Sequence, residues 1–87
     1  MQVFIYEGAR KRGNSDDQIR TVWESGADNW CWLDSRDVPR QLRIGYDASG
    51  LDYEVIALIF SDERALIIHF MRARPVSYEM IEKSRRQ

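Results

Sequence analysis

Two apolar runs separated by four polar residues constrain this chain more than any other feature. "LDYEVIALIF" (51–60) and "ALIIHFMRA" (65–73) flank "SDER" (61–64). Both runs are rich in the β-branched and aromatic residues that fit a pleated surface. A connection this short makes the two strands antiparallel neighbours. Residues 55–60 and 65–71 are apolar at consecutive positions, so both faces need cover, and the pair belongs at the centre of a sheet. Pro75 ends the second run, because it cannot donate to a ladder. Upstream, "QLRIGY" (41–46) joins the pair through "DASG" (47–50), a hairpin-type turn. "NWCWLDS" (29–35) alternates and predicts a further strand at the sheet's edge.

The flanking segments read differently. "QVFIY" (2–6) predicts a short strand, and "EGARKRGN" (7–14) a basic loop. "SDDQIRTVWESG" (15–26) carries helix signals. Ser15 and Gln18 have capping-box spacing, Asp16 and Asp17 suit the positive end of the helix dipole, and Ile19, Val22 and Trp23 form one apolar stripe. Gly26 is the predicted stop. "VSYEMIEKSRR" (76–86) predicts a final helix with Val76, Met80 and Ile81 toward the core. The predicted order is β, α, a three- to four-stranded antiparallel meander, then α. That is an α+β class with helices segregated from the meander, as a single domain over residues 1–87.

An 87-residue chain buries a limited fraction of its surface, and its 44% apolar content is that of a folded domain. The single cysteine, Cys31, rules out an intramolecular disulfide framework and suggests a reducing compartment. The sequence lacks an apolar stretch of the ~18 residues a membrane span needs. In "MQVFIYEGARKR" the positive charges follow the apolar residues, the reverse of a secretory signal, so a cytoplasmic location is expected. Net charge is −1 but unevenly placed: the first 12 residues and the last 24 are basic, and the middle is acidic. No CxxC, His pair or HExxH occurs, and the glycines do not form a phosphate loop, so neither a metal nor a cofactor is expected.

The working chemistry is expected where the last strand ends. "LIIHFMRARP" (66–75) holds the only histidine, His69, followed by Arg72 and Arg74. Arginine matches phosphate with its planar fork, and histidine exchanges a proton near neutral pH. Together they can cleave RNA through its 2′-hydroxyl, which needs a base, an acid and fixed positive charge. Strict alternation puts His69 on the face of Ala65, Ile67 and Met71, and Arg72 on the other, so only a bulge or the strand's exit brings histidine and arginines together. Trp30 and Trp32 share one face of the predicted edge strand, a pairing that suits an interface, base stacking or a small core.

Three segments carry a resemblance. "ARKRGNSDDQI" (9–19) is similar to a K-H-G-V-S entry to a helix, "RQLRIG" (40–45) to an R-x-x-x-I-G strand, and "MRARPVSYEM" (71–80) to an I-S-A-R-K-A-T-x-x-E strand-to-helix junction. These are motifs of BrnT-type ribonuclease toxins of the RelE/ParE superfamily. The resemblance implies a small endoribonuclease, neutralised by a cognate antitoxin protein and acting on RNA, free or on the ribosome. It implies catalytic roles for Arg74 and Arg40, with Arg43 and His69 beside them, and RNA contacts from Lys11, Arg12, Arg72 and Tyr78. The histidine of the K-H-G entry is Arg12 here, whose pKa is too high for a base; His69 is then the candidate for proton transfer. Two other functions fit the same fold: a toxin-like protein-binding module without nuclease activity, and a gyrase-directed toxin of the ParE kind.

Overall fold

The computed structural model describes residues 1–86. Its elements are β1 (Gln2–Ile5), a 3-10 turn (Glu7–Arg10), α1 (Asp16–Ser25), β2 (Trp30–Trp32), β3 (Arg40–Tyr46), β4 (Asp52–Ile59), β5 (Arg64–Arg72) and α2 (Pro75–Arg85). The strands form one mixed sheet in the order β1-β5-β4-β3-β2. β2 to β5 are the antiparallel meander read from the sequence. The sheet has five strands rather than three or four, because β1 joins it in parallel beside β5. β4 is the central strand and β2 an edge, as their residue patterns require.

The two helices flank the meander in sequence, as the expected α+β class requires, and pack on opposite faces of the sheet. Alternation along β4 shows why. Val55 and Ala57 pack with Ile19, Val22 and Trp23 of α1, together with Ala65, Ile67 and Phe70 of β5. Ile56, from the other face, packs with Leu42, Ile44, Cys31 and Ile81 of α2. Cys31 is buried, and burial pushes its thiol pKa up, which makes it an unreactive packing residue.

Half of the predicted capping box forms. The Gln18 backbone N–H donates to Ser15 Oγ, but the Gln18 side chain turns away, donating to Asp47 of the β3–β4 turn. Gly26 ends α1 at φ −88°, so its role is not left-handed geometry. It belongs to a close approach of helix and sheet that Gly45 makes possible. A Cβ on Gly45 would stand 2.1 Å from the Val22 carbonyl oxygen. α2 departs from its predicted face: Ile81 is buried, but Val76 and Met80 are exposed, and Ser77 is buried in their place.

Candidate functional site: a buried carboxylate at the β5–α2 junction

The register of β4 and β5 contains a bulge. Ile56 pairs with His69 and Ala57 with Ile67, so Ile68 is the extra residue of β5. The bulge reverses alternation beyond it. Phe70 joins Ala65 and Ile67 in the α1 core, while His69 turns to the α2 face. The strict pattern predicted the opposite, and the bulge brings His69 to the strand's exit, where Arg74 stands.

The residue that joins them is Glu54 of β4. It is fully buried, and its carboxylate takes a full set of donors. His69 Nε2 lies 2.8 Å from Oε2. The Arg74 guanidinium donates through Nε to Oε1 (3.1 Å) and through Nη2 to Oε2 (2.8 Å), a two-point clasp. The Arg74 backbone N–H and the Ser77 hydroxyl both donate to Oε1. Arg74 is the N-cap residue of α2 and supplies no side-chain cap, and Pro75 fills the first helical position, where its missing N–H costs nothing. Glu54 accepts from the Arg74 N–H and the Ser77 hydroxyl and places a negative charge at the positive end of the helix.

Burial raises the pKa of Glu54, but hydrogen bonds from Arg74, Ser77 and His69 outweigh it and bring the value down to about 2. The carboxylate is therefore ionised at neutral pH and can only accept, so His69 Nε2 donates. That fixes the imidazole tautomer and leaves Nδ1 as the nitrogen able to take a proton. The His69 side chain is about a quarter exposed and that of Arg74 about half, so both reach solvent from a buried anchor.

Next to this cluster, Tyr78 donates its hydroxyl to Asp52. That bond, with partial burial, pushes the phenol up to about 12, so Tyr78 stays protonated. Arg72 donates to the Asp52 carbonyl and lies over the Tyr53 ring on the α1 side. The other predicted residues stand apart. Arg43 rises from the opposite face, 3.5 Å above the Trp23 ring centroid, and donates to the Trp23 carbonyl. Burial lowers its pKa. Arg40 shares the α2 face but pairs with Asp34, opposite Leu58. Four residues of β4, about 13 Å, separate it from Glu54. Lys11 and Arg12 are exposed in the turn before α1. Of the predicted catalytic set, the structure gathers His69 and Arg74 and leaves out Arg43 and Arg40.

Glu54 and Ser77 are the residues that sequence reasoning missed. Glu54 did carry a signal: an acidic residue just before an apolar run on a central strand has to find donors. Among the described residues, no group of three or more His, Cys, Asp or Glu side chains is arranged to hold a metal ion. No helix there is long and apolar enough to cross a membrane. Compared with known proteins, the chain matches no family model, no curated protein and no solved structure.

Proposed function

We propose that the chain is a metal-independent endoribonuclease of the toxin type, with its site at the Glu54–His69–Arg74 cluster and a cognate antitoxin protein as its inhibitor. The observation that carries this reading is the buried carboxylate that fixes a histidine and an arginine at one solvent-facing junction. Glu54 holds His69 with Nε2–H inward, and Nδ1 takes the proton of the RNA 2′-hydroxyl. The 2′-oxygen attacks phosphorus, the bond from phosphorus to the 5′-oxygen breaks, and the departing 5′-oxygen takes its proton from water while the 2′-hydroxyl proton stays on His69. The products are a 2′,3′-cyclic phosphate and a 5′-hydroxyl. Arg74 spends Nε and one Nη2 hydrogen on Glu54, and Nη1 remains to meet a phosphate oxygen. Tyr78, whose hydroxyl is committed to Asp52, offers its ring as a stacking surface for a base. Arg72, Lys11 and Arg12 contribute positive charge for the backbone.

Induced expression in a bacterial host without an antitoxin, followed by mapping of RNA ends, tests this. The reading predicts growth arrest with discrete new ends that disappear in Arg74→Ala. Arrest without new ends would assign a different target such as gyrase. A second reading, a protein-binding module without nuclease activity, is favoured by one observation. Trp30 and Trp32 meet edge-to-face at 5.3 Å on the open edge strand and are both exposed. Absence of arrest and of cleavage would select it.

A further inference from the structure

The edge of the sheet at β2 is unguarded. The Ile44 N–H donates to the Asn29 carbonyl, and the Leu33 N–H to the Arg40 carbonyl. With Cys31 opposite Leu42 between them, residues 29, 31 and 33 bond inward to β3. The backbone N–H and C=O of Trp30 and of Trp32 therefore point away from the sheet, with no backbone partner among the described residues. The other edge is guarded: at β1, Arg20 Nη1 donates to the outward Val3 carbonyl at 2.8 Å.

Apolar side chains flank the β2 edge on both faces. Trp30 stands opposite Arg43, on the α1 side, and is 38% exposed; Trp32 shares that side and is 48% exposed. On the α2 side, Met80 is 41% exposed and borders Cys31, Trp32 and Leu33 across a shallow groove. Lys83, the charged side chain of that groove, is long enough to carry its amine to water.

β2 is self-complementary in one register. When it lies antiparallel to a second β2, with the two-fold axis at Cys31, Trp30 of each copy meets Trp32 of the other. The two pairs exchange two hydrogen bonds each, and every outward group of both strands is used. A shift in either direction brings in Asp28, whose carbonyl already accepts from Arg85, or Asp34, which lies beyond the strand. On the α1 side the tryptophans of both copies then form one cluster with an Arg43 at each end. On the other side α2 packs over Cys31 and Leu42 of β2 and β3. The two helices then stand about 10 Å apart, an ordinary packing distance, with Met80 between them. A tryptophan buries up to ~250 Å², so the exposed fractions leave roughly 200 Å² of tryptophan per copy for this joint. That is below a standard interface and fits a weak, reversible dimer.

We infer that two copies of the chain pair edge to edge through β2, joining their sheets into one continuous sheet. His69 and Arg74 stand beside β4, two strands in from the joint, so pairing leaves them open and does not require catalysis. Sedimentation of the full chain from ~1 µM to ~1 mM should show a reversible monomer–dimer equilibrium. Trp32→Lys puts a charge into the cluster and should weaken the dimer roughly tenfold or more. Trp30→Pro removes an outward N–H, leaves the inward ladder alone and should act likewise, with circular dichroism unchanged in both variants. Amide exchange by nuclear magnetic resonance needs no variant. The Trp30 and Trp32 N–H groups should exchange fast in dilute solution and slow severalfold at ~1 mM, while that of Cys31, already bonded to β3, stays slow throughout. A monomer at ~1 mM, a dimer that tolerates both variants, or a dimer whose Trp30 and Trp32 amides stay fast would overturn the inference. Growth into larger oligomers would overturn it too, because a two-fold joint closes at two copies.

Discussion

Replacing Glu54 with Gln removes the charge on which His69, Arg74 and Ser77 converge, and its cost can be worked from the structure. The carboxyl falls from an ordinary 4.5 to about 2, which corresponds to ~3 kcal/mol of stability. Loss of one partner from a buried ion pair costs about 3–5 kcal/mol. Half-exposed Arg74 can turn to water, so the lower end applies. Because the folded pKa is depressed, the contribution is complete above pH 4.5 and disappears as pH falls through 2. Urea unfolding of the native chain and Glu54→Gln should differ by ~3 kcal/mol at pH 7. At pH 3 the difference should be clearly smaller, with further convergence below. Thermal unfolding at pH 7 should drop by roughly 15 °C. A difference under about 1 kcal/mol at pH 7, or one that stays constant down to pH 2.5, would refute the claim that Glu54 is an ionised clasp.

Other features make separate predictions. Tyr78→Phe should abolish a tyrosine titration near pH 12 seen by ultraviolet absorbance. Because that folded pKa is raised, the stability it contributes is present below pH 10 and lost as pH rises through 12. Gly45→Ala puts a methyl into the Val22 carbonyl and should cost more than about 2 kcal/mol by chemical denaturation. Ser15→Ala removes the acceptor for the Gln18 N–H and should cost about 1 kcal/mol in the same assay.

Local signals made much of the fold legible. The Ser15 cap and the Ile19, Val22, Trp23 stripe predict α1 because both act within one helix. The two four-residue connections predict the antiparallel pairs for the same reason. The parallel partner of β1 was not legible, because Phe4 and Leu66 meet across 62 positions with no turn between them to fix a register. The bulge at Ile68 was not legible either. It reverses alternation in a run whose residues are apolar on both faces, so hydrophobic pattern carries no mark of it. The apolar residues Val76 and Met80 are predicted to face the core from α2, yet Ser77 takes that place because its hydroxyl donates to buried Glu54. The junction of His69 and Arg74 could be suspected from the sequence. What joins them is one glutamate 15 residues before His69, visible only once the strands are paired.

The central claim is that Glu54 presents His69 as a base beside Arg74 for RNA cleavage. Its most direct test is incubation of the purified chain with RNA in the presence of a metal chelator, with the new ends mapped, against His69→Gln. The account predicts discrete ends bearing 2′,3′-cyclic phosphate, unaffected by the chelator. Cleavage should be reduced roughly a hundredfold or more in His69→Gln, with its far-ultraviolet circular dichroism unchanged. No cleavage by the native chain, or equal cleavage by the folded His69→Gln variant, would contradict it.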